Sequence, residues 1–245
     1  SDWHTAYVLD LKTGKKLADK VEWIKFSGIS WYQDGFFYSR YPTPKEGEEL
    51  SAKNSFHQVF YHKLGTLQSE DQLVFADRSQ PDRGFFANTT KDESFLTIAL
   101  WESTSGNALY FKDLKKGEIE FTPIIESFQA DFNVIDNIDK KLLVLTNYKA
   151  ANNRLVIINS EVPGEDYWED LIPQSDDVLQ SVDILGGKIV ATYIHNASSK
   201  VKVFDLKGNL LDVLDLPGIG TIQGFTGKKS DPTAYYSFAS FTQPS

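Results

Sequence analysis

One kind of strand pair recurs along this chain at a nearly constant spacing, and that recurrence restricts the fold more than any single motif does. It reads AYVLDLKTGKKL from Ala6, QVFYHKLGTLQSEDQLVF from Gln58, ALYFKDLKKGEIEF from Ala108, RLVIINSEVPGEDYWEDLI from Arg154 and VKVFDLKGNLLDVLDL from Val201. Successive starts lie 52, 50, 46 and 47 residues apart. Each copy is an alternating apolar strand, a polar turn with Gly or Asp, and a second strand, which is the pattern of a β-hairpin. Self-similarity at such a period marks an array of like units.

A second hairpin type lies between these copies: FSGISWYQDGFFYSRY, FFANTTKDESFLTIAL, FNVIDNIDKKLLVLTN, LQSVDILGGKIVATYIH and IQGFTGKKSDPTAYYSFASF. Two hairpins make one four-stranded antiparallel unit, and four strands repeating at about 48 residues predict an all-β fold, a β-propeller. A solenoid of helices is excluded because no long 3.6-residue periodicity occurs; the best short helical candidates are Lys45 to Lys53 and Glu165 to Leu171. A β-sandwich is the competing architecture, but it does not require hairpins at a fixed period. Four complete blades are expected: Trp23 to Phe75, Phe85 to Ile125, Phe132 to Ile172 and Leu179 to Leu216. The hairpin Tyr7 to Val21 is then an outer half-blade and Ile222 to Phe241 an inner one. Residues 1–245 thus form a single propeller domain whose halves close a fifth blade, removing exposed edges, or a segment of a larger propeller.

Composition limits what such a fold can bind. The formal charge of -9 and pI near 5.0 come from acids and bases interspersed along 245 residues, so nucleic acid and anionic membranes are not expected partners, since both need clustered Lys and Arg. Small molecules, peptides and proteins remain. Cysteine is absent, which removes disulfides, thiolate nucleophiles and Cys-bound zinc. No run of about 18 apolar residues predicts a spanning helix and no basic and apolar leader is present; a soluble protein of the cytoplasm or periplasm is expected. The chain begins SDWHTAY and contains no Met, so Ser1 is not expected to be a translation start.

The residues carry little chemistry of their own. FYHKLGTLQSED, Phe60 to Asp71, gathers His62, Ser69 and Asp71, but the strand is expected to end near Leu64, with Gly65 opening a hairpin turn that crosses to QLVF; this is no triad. A hydrolase nucleophile in Gly-x-Ser-x-Gly is absent; the nearest string, STSGN at Ser103 to Asn107, has one of the two glycines and precedes a strand, not a helix. His4, His57, His62 and His195 form no His-x-His or His-x-x-x-His pair, so no metal site is expected, nor any cofactor; all four read as strand-end or surface histidines, with His57 and His62 on opposite faces of a strand. Asp34, Asp92, Asp139, Asp176 and Asp231 fall in turns, where Asp caps backbone N–H groups. A propeller glycosidase would need two acids from adjacent inner strands flanking one bond. The remaining large aromatics, including Trp23, Trp31, Tyr110 and Phe204, read as packing between blades.

Six segments, SDWHTAYVLD, KFSGISWYQDGFFYSRYPTPKEG, FYHKLGTLQSEDQLVF, LTNYKAANNRLVIIN, DVLQSVDILGGKIVATYIHNASSKVKVFDLKGN and GFTGKKSDPTAYYSFASFTQP, occur in the order and spacing of the prolyl oligopeptidase propeller, and the chain resembles that family over essentially its whole length. The resemblance implies a seven-bladed propeller that gates an α/β-hydrolase domain bearing a Ser-Asp-His triad, acting on short proline-containing peptides. That propeller would begin about a blade and a half before Ser1 and continue about half a blade past Ser245. The resemblance also implies three substrate-side positions. Phe26, in KFSGISW, matches an aromatic lining the pocket for the residue two before the scissile proline. Thr104, in WESTSGN, falls in the same pocket. Asp2 matches an acid facing the catalytic domain. Trp101 departs from the family pattern, standing where vertebrate relatives carry a basic side chain. From the residues alone, Phe26 is equally a core aromatic, Thr104 a loop hydroxyl and Asp2 a cap. No catalytic residue is expected in the chain, which alone should be inert; the competing function is a stand-alone or engineered five-bladed binding scaffold.

Overall fold

The computed structural model describes residues 3–48, 51, 53–117 and 120–241, in two compact units, Ser1–Gln129 and Ala130–Ser245. The first unit holds two antiparallel sheets. One comprises β1 (His4–Asp10), β2 (Lys15–Tyr32), β3 (Gly35–Arg40), β4 (Gln58–Lys63) and β5 (Gln72–Ala76); the other comprises β6 (Gly84–Thr89), β7 (Phe95–Trp101), β8 (Ala108–Asp113) and β9 (Thr122–Ile125). In both, sheet order follows chain order, so every connection is a hairpin.

Burial explains why the strands read as they do. β3, GFFYSR, is buried at five of six positions and β7, FLTIALW, at five of seven. A strand covered on both faces loses its alternation and becomes a continuous apolar run, whereas edge strand β5 has no buried residue. Phe37, Val59, Phe85, Leu96, Ile98 and Leu100 form a core between the two sheets, each large side chain contributing about 1.5–3 kcal/mol of burial. Polar side chains pin β6 beside β2: the Thr89 N–H donates to Ser30 Oγ at 2.8 Å, and Thr89 Oγ1 donates to the Trp31 carbonyl at 3.0 Å.

The second unit repeats the pattern with β10 (Phe132–Ile138), β11 (Lys141–Thr146), β12 (Arg154–Asn159) and β13 (Glu169–Ile172), then β14 (Val178–Leu185), β15 (Lys188–His195), β16 (Ser198–Phe204) and β17 (Leu210–Val213), and ends on the hairpin β18 (Thr221–Thr226) and β19 (Tyr235–Ala239). Leu143, Leu155, Leu179, Ile184, Ile189 and Tyr193 fill the space between its two four-stranded sheets. The final hairpin is tied to its neighbour by Ser199, whose N–H donates to the Gly220 carbonyl at 2.8 Å and whose hydroxyl accepts the Ile222 N–H at 2.9 Å.

The repeated turns have one chemistry. In the DLK strings the aspartate accepts the backbone N–H two residues on: Asp10 from Lys12 at 2.8 Å, Asp113 from Lys115 at 3.0 Å and Asp205 from Lys207 at 2.8 Å. Gly14, Gly117 and Gly208 follow at φ +66°, +64° and +83°, where a side chain would clash with its own backbone. Asp92 and Asp231 cap turns as expected, accepting the Ser94 and Lys228 N–H groups.

Two details differ from the sequence reading. The N-terminal hairpin is continuous with the first blade, because β2 runs 18 residues through the expected boundary and makes a five-stranded sheet. Of the two helical candidates, Glu165–Tyr167 is a single 3-10 turn leading into β13, and the described part of Lys45 to Lys53 is turn and loop. A further 3-10 turn, Gln68–Glu70, lies inside FYHKLGTLQSED. No helix among the described residues is long and apolar enough to cross a membrane.

Candidate functional site

The pairing of β2 with β3 is interrupted by design. Ile24 pairs Arg40 and the next pair is Ile29 with Tyr38, so five residues on one strand advance against two on the other, and Lys25 to Gly28 are expelled as a wide bulge. Within it Phe26 sits at φ +51°, a left-handed conformation that costs a non-glycine residue about 1–2 kcal/mol.

Two side chains hold the bulge. His57, fully buried, donates from Nε2 to the Lys25 carbonyl at 3.0 Å and accepts the Phe85 N–H on Nδ1 at 2.9 Å, which assigns its neutral tautomer. Ser27 Oγ accepts the Ser39 N–H at 2.7 Å and donates to the Gly28 carbonyl at 2.6 Å, replacing a lost ladder bond. Burial drives the His57 pKa down to about 4, against the weaker opposing effect of the Lys25 carbonyl.

The expelled ring is 50% exposed, so Phe26 is not a core aromatic. Its supports are edge-to-face contacts with Trp101, centroids 5.9 Å apart at 82°, and with Tyr41, 6.4 Å at 82°. Tyr41 in turn lies 4.5 Å from His57 and 6.4 Å from Trp3, and the Lys25 ammonium rests 5.0 Å from the Trp3 ring and 5.6 Å from the Phe26 ring. Such pairs add about 0.5–1.5 kcal/mol each beyond area burial. Trp101 reaches this position because residue 84 is glycine: a Cβ there would fall 2.0 Å from the indole. The indole N–H is buried with no acceptor among the described residues, so Trp101 offers ring surface and does not supply the polar contact of a basic side chain.

Among the sequence-selected positions, Phe26 and Trp101 are thus brought together. Thr104 is exposed in the bend three residues after Trp101. Asp2 lies outside the described residues. Missed were His57, Ser27 and Tyr41, which have no local motif: the His57 partners are 32 and 28 residues away in sequence.

The histidine reading needs correction at two positions. His4 and His195 are exposed, as expected, but His57 and His62 are fully buried. His62 Nδ1 is 2.7 Å from Asp71 Oδ1 and Nε2 is 3.2 Å from Asp19 Oδ1. Tyr38 OH donates to the other Asp71 oxygen at 2.6 Å, and the Gly65 N–H donates to Asp19 at 2.6 Å. Burial pushes Asp19 up, but the bonds from Gly65 and His62 outweigh it and leave the carboxyl below its ordinary range. With both ring nitrogens facing carboxylates and Ser69 exposed, the cluster is a clamp joining β2, β4 and the start of β5. It is not a nucleophilic triad. In the second unit, a groove of about 670 Å³ beside the β10–β11 turn is lined by Ile138, Ile157, Leu171 and Leu206 and ringed by charges, the turn residue Asp139 among them; it contains none of the substrate-pocket candidates Phe26, Trp101 and Thr104.

Comparison with known proteins places the chain. Residues 1–245 match the family model described as prolyl oligopeptidase, N-terminal beta-propeller domain. The chain is 40% identical over 245 residues to a prolyl endopeptidase of Elizabethkingia meningoseptica, covering 100% of this chain and 34% of that protein. It is 30% identical over 238 residues to a dual function macrocyclase-peptidase of Amanita bisporigera, covering 94% and 32%. A structure from a study of two prolyl endopeptidases superposes with TM-score 0.90 at 35% identity, covering 100% of this chain and 35% of that one. Prolyl oligopeptidase B from Galerina marginata, bound to a 35mer hydrolysis and macrocyclization substrate, superposes with TM-score 0.86 at 25% identity, covering 96% and 35%. The chain spans about a third of the length of these relatives. Its all-β sheets are those of a β-propeller, and the chain belongs to the prolyl oligopeptidase family, within the N-terminal propeller domain.

Proposed function

We propose that residues 1–245 act as the substrate-gating, pocket-lining propeller of a longer serine peptidase that cleaves short peptides after proline. Bond cleavage in that enzyme is acyl transfer through a serine ester, stabilised by an oxyanion hole, with the triad supplied by an α/β-hydrolase domain of the same polypeptide. This chain contributes binding. Phe26, backed by Trp101, is the apolar wall for the residue two before the scissile proline, and Thr104, on the bend that follows Trp101, completes its rim.

The observation that carries this reading is the half-exposed Phe26 ring on a left-handed backbone. Strain of this kind persists where the surroundings over-determine it, and such positions cluster at functional sites. The Galerina marginata relative bound to a 35mer hydrolysis and macrocyclization substrate supports an oligomeric substrate as the occupant.

The test is Phe26→Ala in the full-length enzyme. Removing a ring that contacts substrate equally in ground and transition states raises KM about tenfold for Phe-Gly-Pro chromogenic peptides with kcat little changed. Gly-Pro substrates that do not reach the ring keep their KM. An unchanged KM for both substrates would overturn the pocket assignment. A natural gene product of about this length, folded and monomeric, would favour the stand-alone scaffold instead.

A further inference from the structure

Phe26 cannot hold its own position, because an exposed ring on a left-handed backbone relaxes to negative φ unless something prevents it. The peptide plane that sets φ of Phe26 carries the Lys25 carbonyl, and this is the group His57 Nε2 binds at 3.0 Å. The other ring nitrogen, Nδ1, accepts the N–H of Phe85 at 2.9 Å. Phe85 follows Gly84, the residue against which the Trp101 indole lies, and pairs with Leu100, the residue before Trp101. One imidazole therefore grips both sides of the Phe26–Trp101 pair, the bulge of β2 through a carbonyl and the strand beside Trp101 through an amide. Tyr41 closes the arrangement by packing on His57 and on Phe26.

We infer that His57 is a positioning residue for substrate recognition, setting the orientation of the Phe26 ring and its separation from Trp101 by bridging the Lys25 carbonyl to the Phe85 amide. This rests on the reading of Phe26 as a pocket wall. It assigns to a fully buried histidine a part in specificity that touches no substrate. Neutral imidazole suits the task because it presents one donor and one acceptor on opposite sides of a rigid ring.

The test uses the full-length enzyme with 4-fluorophenylalanine at position 26, read by fluorine NMR, together with kinetics on Phe-Gly-Pro and Gly-Pro chromogenic peptides. His57→Ala is expected to move or broaden the fluorine resonance and to raise KM for Phe-Gly-Pro about tenfold, with kcat held within about twofold. The double variant with Phe26→Ala is expected to be no worse than Phe26→Ala alone, since both remove the same wall. His57→Gln, which keeps a donor and an acceptor, is expected to restore the resonance and most of the KM. Should the alanine variant fail to fold, His57→Asn, too short to reach both partners, takes its place in each comparison. A fluorine resonance unmoved by loss of the imidazole, or additive effects of the two substitutions, overturns the positioning role. A moved resonance with KM insensitive to Phe26→Ala leaves the positioning role standing and sinks the pocket reading instead.

Discussion

The imidazole of His62 stands between two carboxylates contributed from opposite directions along the chain, Asp71 at 2.7 Å from Nδ1 and Asp19 at 3.2 Å from Nε2, with all three side chains buried. The contact joins the N-terminal hairpin to the first blade. His62→Ala strips both carboxylates of a buried partner, leaving Asp71 with Tyr38 and Asp19 with Gly65. The expected loss is about 3–5 kcal/mol of unfolding free energy, read as a lowered urea midpoint with unchanged slope. A loss below about 1 kcal/mol would mean that the clamp is energetically idle.

His57 predicts a pH dependence in a separate window. Its folded pKa is near 4, against about 6.5 in the unfolded chain. Above 6.5 neither state binds the proton and stability is full; as pH falls toward 4 the unfolded state takes it up first, so stability declines, and below 4 the decline is complete. The loss across the window is about 3 kcal/mol. Asp19, Asp77, Asp177 and Asp205 are all held below the ordinary carboxylate range, so their contributions vanish only at lower pH. Tyr41, which packs on His57, has its phenol pushed further up by burial and stays neutral throughout. Denaturant melts from pH 7 to 4 of wild type and His57→Gln, which keeps a donor and an acceptor but does not titrate, should run close together near pH 7 and separate toward pH 4, where the wild type alone loses this stability; parallel curves would remove His57 as the cause.

What the sequence revealed follows from how far each signal travels along the chain. The blades were legible because each second strand, such as Gly35–Arg40 or Phe95–Trp101, is covered on both faces and reads as an apolar run, and because the DLK turns recur. The continuity of β2 through Val21 and Trp23 was not legible: Trp23 at φ +61° breaks the alternation that would have shown one strand. The bulge was hidden for a similar reason, since Phe26 occupies a conformation that sequence rules reserve for glycine. Phe26 and Trp101 were found through resemblance, which carries position without geometry. His57 and His62 read as strand-end or surface residues because a partner that buries each is remote, Lys25 being 32 residues from His57 and Asp19 43 from His62; Asp71, only nine residues from His62, looked like a turn acid.

Gly84 makes a sharp prediction about Trp101. Its would-be Cβ lies 2.0 Å from indole atoms Cε2 and Cζ2, far inside contact distance, and the indole is braced by Phe26 on one side and Phe86, 6.3 Å away, on another. Gly84→Ala must displace the indole, at an overpacking cost of about 1–3 kcal/mol. The ring would then leave its place beside Phe26. Tryptophan emission should shift, and KM for Phe-Gly-Pro peptides should rise without a matching change for Gly-Pro. Wild-type emission and KM would show that Trp101 has room to spare.

The chain by itself is expected to release no chromophore from Gly-Pro substrates, and the reason lies in its histidines. A serine nucleophile needs an imidazole nitrogen free to take its proton. His57 spends both nitrogens on backbone groups and His62 on two aspartates. His195 does pair with Asp177, 2.5 Å from Nδ1, as a triad histidine would, but its Nε2 faces the Asn196 amide at 3.1 Å, and the nearby Ser198 hydroxyl donates to the His195 carbonyl at 2.8 Å. Ser103, in the string nearest to a nucleophile motif, donates to the Ser105 carbonyl at 3.0 Å in an exposed bend, with no strand-to-helix turn to aim it. Purified residues 1–245 incubated with the substrate should therefore match buffer alone. Turnover that survives His195→Gln combined with substitution of the exposed His4 would point to a contaminant; turnover abolished by either change would establish a nucleophile and base within the propeller and overturn the assignment of all catalysis to another domain.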